Sequence, residues 1–163
     1  MDDEVILFAE NCDDEAFLFQ RALSKSQCGR RMIRVKDGSE VFDYFENKGS
    51  FADRLRFPKP TILVSDLNMP TNGGLVVLSW LKLHGFLEGI TFVMFTSSEK
   101  AGDIERAMYG GAHAYVLKSM SCDEMVEWLR EMVAAVEGDR FDEHGWLKCP
   151  HNAYLEAAHF RLG

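Results

Sequence analysis

No apolar run in the 163-residue chain approaches the roughly 18 residues that a membrane-crossing helix needs, so no bilayer span is expected. The N-terminus, Met1-Asp2-Asp3-Glu4, lacks the basic region of a signal peptide, and the expected location is the cytoplasm. Basic residues are in deficit: 18 Lys and Arg stand against 26 Asp and Glu, a net charge of −8. That balance argues against nucleic acid as a direct partner. Cysteine is sparse; Cys12, Cys28, Cys122 and Cys149 form no CxxC pair and read as reduced thiols in a cytosolic chain. Internal repeats and low-complexity tracts are missing too. The remainder is an ordinary globular mixture, 47% apolar and 27% charged, and long enough for one domain with a real core.

Prolines number only four, and two of them, Pro60 and Pro70, bracket the most informative stretch. Between them, Ile62-Leu63-Val64 is a continuous apolar run that ends on Asp66. Such a run predicts a strand buried on both faces, as in the centre of a parallel sheet. Asp66 then sits at the carboxyl end of that strand, the edge where open α/β sheets collect ligands and chemistry. Alone, it also fits an acid that merely opens a turn with Asn68 and Pro70.

The rest of the chain repeats strand and helix. Strands are expected at Val5–Ala9, Met32–Val35, Thr91–Phe95 and His113–Leu117, with the central one between the second and fourth. Helices follow each, marked by apolar positions at helical spacing: Cys12, Ala16, Phe19 and Leu23 in the first, Val41, Phe42 and Phe45 in the second. Asp13 and Asp14 suit the dipole at the first helix start, and Ser39 reads as the N-cap of the second helix, which ends near Lys48-Gly49. Leu75, Leu78 and Leu81 face inward in the third; Ala101, Ile104, Ala107 and Met108 form the fourth; Met125, Leu129, Met132 and Val136 form the fifth, stopped by Gly138. His113 reads as facing the surface or a helix. Five strand–helix units predict a doubly wound α/β fold with a five-stranded parallel sheet in the flavodoxin-like order 2-1-3-4-5, within residues 1–137.

Residues 138–163 form a C-terminal extension beyond this pattern. They carry Phe141, Trp146, Tyr154 and Phe160, which argues against a disordered tail, yet are too few for a core of their own. They are expected to pack on the domain or on a partner, with a short helix near Tyr154–Phe160.

In the order 2-1-3-4-5 the ends of strands one, three, four and five face one crevice. They deliver Glu10 and Asn11, Asp66, Thr96 and Lys118. A nucleophilic carboxylate, a hydroxyl and an ammonium beside a hard-cation site are the parts needed for phosphoryl transfer to Asp66.

Here the chain resembles the receiver domain of two-component response regulators. Asp66-Leu67-Asn68-Met69-Pro70 with Gly73 is similar to that family's D-x-x-M-P…G signature, and Thr96 and Lys118 follow Asp66 by 30 and 52 residues. The resemblance implies that Asp66 is the phosphoacceptor, Thr96 the conserved hydroxyl and Lys118 the invariant lysine. It makes Tyr115 the switch aromatic whose rotamer reports phosphorylation. Magnesium is implied at Glu10, Asn11, Asp66 and the Asn68 backbone carbonyl. The implied donor is a sensor histidine kinase or a histidine phosphotransfer protein. The implied output is contact with a downstream protein or a homodimer through the fourth helix, fifth strand and fifth helix, without enzymatic turnover and with no output domain attached. Phe92 to Ser98 and the long connection before the central strand resemble stand-alone receivers related to the phytochrome response regulator.

Two positions depart from the family pattern. Asn11 replaces the second carboxylate of an acidic pair, which keeps an oxygen ligand, drops its charge and weakens the expected magnesium site; Asp13 and Asp14 lie further along the chain. Ser119 replaces the proline after the lysine, so the turn either holds a costly cis bond or takes a trans path. A pseudo-receiver, a phosphorylation-independent binding module of the same fold, is the alternative these departures leave open. An Asp-dependent phosphatase of the haloacid dehalogenase type fits worse, because Asn68 stands where D-x-D needs its second acid.

Overall fold

The computed structural model describes residues 4–154. Five strands, β1 (Val5–Ala9), β2 (Arg31–Val35), β3 (Ile62–Ser65), β4 (Thr91–Thr96) and β5 (Ala114–Leu117), form one parallel sheet in the order β2-β1-β3-β4-β5. The helices between and after them are α1 (Asp13–Ser26), α2 (Gly38–Glu46), α3 (Gly74–Leu83), α4 (Ala101–Tyr109) and α5 (Cys122–Glu137). This is the flavodoxin-like topology expected from the alternation. No helix among the described residues is long and apolar enough to cross a membrane.

The period of two along each strand divides the interior into two layers. Leu7, Ala9, Leu63, Phe92, Met94 and Tyr115 point to the side covered by α2, α3 and α4. Ile6, Phe8, Ile62, Val64, Val93, Phe95, Ala114 and Val116 point to the side covered by α1 and α5. In the second layer Phe8 stacks on Phe19 at 4.0 Å between ring centroids, and Phe95 stacks on Trp128 at 5.2 Å. Because both faces are covered, β1 and β3 read as unbroken apolar runs rather than alternating ones.

Several local expectations are corrected. The N-cap of α2 is Asp37, whose side chain accepts from the Glu40 amide at 2.9 Å; Ser39 lies inside the helix and accepts from Asn72 at 3.2 Å. That helix ends at Glu46, with Asn47 in the left-handed region (φ 57°). In α3 the fully buried side chains are Val77, Leu78 and Leu81, while Leu75 is half-buried. The long connection into β3 opens with a 3-10 turn (Gly49–Phe51), and Phe51 and Phe57 pack on Tyr44, whose hydroxyl donates to the Pro58 carbonyl at 2.7 Å. The start of α5 is closed by a capping box between Ser121 and Glu124, legible in the S-x-x-E spacing but unread there. His113 is half-buried, and its Nδ1 accepts from the Phe92 amide at 2.9 Å.

Beyond α5 the chain returns to the exposed side of β5. Phe141 and Leu147 form an antiparallel bridge, and Leu147 is fully buried in the second layer. The Leu147 amide donates to the His113 carbonyl at 2.7 Å. Asn152, fully buried, bridges Val116 in the antiparallel sense; its Oδ1 accepts from the Tyr115 amide at 3.2 Å and its Nδ2 donates to the Leu147 carbonyl at 3.0 Å. Trp146 packs edge-on against Tyr109 of α4 and Tyr154, whose hydroxyls meet at 2.7 Å. The open edge of the sheet is thereby occupied by the chain itself, one of the ways an edge strand is kept from pairing with other chains. The helix expected near Tyr154–Phe160 falls, past Tyr154, outside the described residues.

Asn152→Ala strips these partners and leaves the buried Tyr115 amide unpaired. It is expected to cost about 1–3 kcal/mol. Urea denaturation checks this, and an unchanged midpoint would show that the segment is not held at β5.

Candidate functional site

The site is built by backbone bonds that carry the sheet one residue past its strands. The Glu10 amide donates to the Val35 carbonyl at 3.0 Å, the Asp66 amide to Ala9 at 2.9 Å and the Lys118 amide to Thr96 at 2.9 Å. These bonds fix the side chains of Glu10, Asp66 and Lys118 at the carboxyl edge, where they line an open cleft of about 780 Å³ with Asn11, Asn68 and Thr96. Two glycines let α3 start close against the turn that follows Asp66. A Cβ on Gly73 would lie 2.5 Å from the Leu67 carbonyl oxygen, and one on Gly74 would lie 2.5 Å from that of Asp66. The spacing Asp66…Gly73 thus reflects how closely α3 must start against the Asp66 turn.

Lys118 is the centre of the charge network. Its Nζ lies 2.9 Å from Glu10 Oε2, 2.5 Å from Glu15 Oε2 and 3.3 Å from Asp66 Oδ2. Glu10 is 1% exposed and its other oxygen accepts from the Cys12 amide at 3.2 Å. One ammonium faces three carboxylates, so the cluster carries excess negative charge when all are ionised. Burial pushes the Glu10 carboxyl up to about 7, against the pull of Lys118. Glu15 lies below the usual carboxylate range: its burial acts upward, but the hydrogen bonds to Lys118 and Glu10 outweigh it. Lys118 rises to about 12, because the bonds from Glu15 and Glu10 outweigh the burial that works to lower it.

The expected residues meet in part. Asp66, Glu10 and Lys118 are in direct contact or one neighbour apart, and Thr96, Asn11 and Asn68 line the same cleft. Asn11 and Asn68 are exposed. Tyr115 stands behind the cleft, fully buried, with its hydroxyl donating to the Ser98 carbonyl at 2.8 Å. No cis peptide occurs among the described residues, so the Lys118–Ser119 bond is trans; the Met120 amide closes the turn on the Lys118 carbonyl at 2.8 Å. Lys118 reaches Asp66 on that path.

Two residues were missed. Glu15 hides in the run Asp13-Asp14-Glu15, of which the sequence reading places only Asp13 and Asp14, at the helix dipole. At about 100° per residue only one of three successive side chains turns back over the strand ends. Glu15 does so, while Asp13 turns away and pairs with Arg34 at 2.7 Å. Ser98 enters the sequence reading only within the stretch Phe92 to Ser98, with no role of its own. Its amide donates to Thr96 Oγ1 at 3.2 Å, its carbonyl accepts from Tyr115 and its hydroxyl donates to Asp103 at 2.5 Å. Glu10, Glu15 and Asp66 each offer an oxygen within 4.8 Å of the others. Hard oxygen donors in such a set suit magnesium.

The sequence model of the response regulator receiver domain matches residues 13–130. The response regulator Rcp1 of Synechocystis is 24% identical over 127 residues, covering 78% of this chain and 84% of Rcp1. Among solved structures, the response regulator RPA3017 in red light signalling of R. palustris superposes with a TM-score of 0.72 at 28% identity, covering 78% of this chain and 89% of its own. The phosphorylated cyanobacterial phytochrome response regulator RcpA does so with a TM-score of 0.70 at 25% identity, over 79% and 90%.

The raised Glu10 carboxyl has a pH signature in metal-free buffer. The folded state holds this proton more tightly than the unfolded chain, so the stability Glu10 contributes is full below about 4.5 and is lost as pH rises through about 7. The loss is on the order of 3 kcal/mol. Glu10→Gln is expected to lose that slope, so the wild type falls relative to the variant between those values in thermal melts; parallel curves would refute it.

Proposed function

From the premise that this chain belongs to the response regulator receiver domain family, we propose that it accepts a phosphoryl group on Asp66 and passes the signal on by protein contact. The donor is a sensor histidine kinase or a histidine phosphotransfer protein. Its likeness to a phytochrome response regulator makes a phytochrome kinase the first donor to test. Residues 1–137 act as the receiver unit, with 138–163 as an extension to it. The observation that carries the reading is the Lys118 ammonium 3.3 Å from the Asp66 carboxylate, beside Glu10, at the carboxyl edge of the sheet.

In this reading an Asp66 oxygen attacks the phosphorus of a phosphohistidine. The new O–P bond forms as the P–N bond breaks, and the electron pair leaves on the imidazole nitrogen. Lys118 offers its ammonium to the transferred oxygens and Thr96 its hydroxyl. Glu10, Asn11, Asp66 and the Asn68 backbone carbonyl would hold magnesium, which supplies positive charge against the phosphoryl oxygens when bound. Asn11 brings an oxygen without charge, so the affinity is lower than two carboxylates would give. Once Thr96 turns to a phosphoryl oxygen, the Ser98 amide loses its acceptor. Tyr115, bonded to the Ser98 carbonyl, carries the change towards α4, β5 and α5. That surface, with the segment laid along β5, is the one offered to a downstream protein or a second copy.

A phosphorylation-independent binding module is favoured by one feature, the neutral Asn11. The same experiment separates the readings. Wild type with acetyl phosphate and magnesium is expected to gain one phosphoryl group by intact mass, and Asp66→Asn none. A wild type that gains none would select the binding module.

A further inference from the structure

The acidic pair that Asn11 leaves incomplete has a neighbour of the right chemistry. We propose that Glu15 supplies the missing carboxylate of the divalent-cation site, and that the cation's arrival moves Glu15 off the Lys118 ammonium and frees Lys118 for phosphoryl oxygens. This inference rests on the receiver reading above and adds to it a ligand and an order of events.

The geometry singles out Glu15 among the acids at the start of α1. Asp13 is 82% exposed and committed to Arg34. Asp14 is exposed and is not part of the cleft lining. Glu15 lines the cleft, its side chain is 40% exposed, and its oxygen lies within 4.8 Å of oxygens of both Glu10 and Asp66. The same carboxylate makes the shortest bond to Lys118, 2.5 Å against 2.9 Å for Glu10 and 3.3 Å for Asp66. Lys118 therefore stands in for a cation among these three acids. A divalent cation brings twice its charge and takes several oxygens at once, so it outcompetes one ammonium for the same donors. Glu15 has a half-exposed side chain in the first turn of α1 and the freedom to change partners, whereas Glu10 is sealed in by the sheet. Without this transfer, Lys118 would be shared between Glu15 and the phosphoryl group.

Mn²⁺ binding followed by electron paramagnetic resonance, with Mg²⁺ as competitor, tests this on the full chain. Wild type is expected to bind; Glu15→Gln should bind about 10–100-fold more weakly, the range for losing a supporting group at a metal site. Asn11→Asp in the Glu15→Gln background should recover most of the loss, because the charge is returned at the other position. Circular dichroism melts confirm that each variant is folded. If wild type binds and Glu15→Gln binds equally well, Glu15 only neutralises Lys118 and the inference is overturned while the receiver reading stands. If Asn11→Asp fails to rescue, the charge-replacement argument falls. If wild type binds neither ion, the receiver reading and this inference fall together.

Discussion

An ammonium held against three carboxylates is the interaction around which this molecule is arranged. Two unit charges 4 Å apart attract by about 4 kcal/mol at the effective dielectric of a protein near its surface. Lys118 therefore gains from each acid, and its removal from water is offset by that gain. The acids do not all gain equally, because one lysine cannot neutralise three of them. The excess is expressed at Glu10, the most buried, which holds its proton to about neutral pH. A site with more negative charge than its own lysine can balance is poised for a cation of higher charge. Pairing Glu10 by lysine alone would leave a buried group half-compensated, which is costly in a low-dielectric interior.

The cluster is held by the sheet rather than by loops. Glu10, Asp66 and Lys118 are each the first residue beyond a strand, tied to the neighbouring strand by a backbone bond, while Glu15 comes from the first turn of α1. The position of those three is therefore set by register, and register is set by apolar side chains that fill two separate layers. A one-residue slip of β3 would turn Leu63 and Val64 to the wrong helices and carry Asp66 away from Lys118 at the same time. Packing and chemistry are specified by the same residues.

The threading of the sheet was legible because it depends on periodicity. Strand–helix alternation, the apolar run before Asp66 and the spacing to Thr96 and Lys118 all follow from where backbone must be buried. What escaped was orientation within short polar runs. Asp13, Asp14 and Glu15 look alike as a string, and only the turn of α1 separates the one that enters the site from the one that pairs with Arg34. Ser39 and Asp37 are both fair caps, and the choice was made by the backbone geometry at the start of α2. The extension could be identified as ordered from Phe141, Trp146 and Tyr154, but not placed on β5, since a single buried Asn152 with antiparallel pairing leaves no periodic trace.

Tyr115 joins these two scales. Its hydroxyl is bonded to Ser98, which is bonded in turn to Thr96 in the cleft, while its amide is bonded to Asn152 of the extension. Both ends of one buried residue are thus committed, one to the site and one to the segment that closes the sheet edge. The ring is fully buried in the layer under α4, and interiors packed at crystal-like density rearrange in discrete steps rather than by gradual yielding. A shift of Ser98 large enough to break the bond to the tyrosine hydroxyl has to be met by a new position for the ring. The same strand that carries the ring also carries the Val116–Asn152 bridge. From Thr96 the hydrogen-bond network thus reaches α4 through Ser98 and Asp103, and the β5 edge through Ser98, Tyr115 and Asn152.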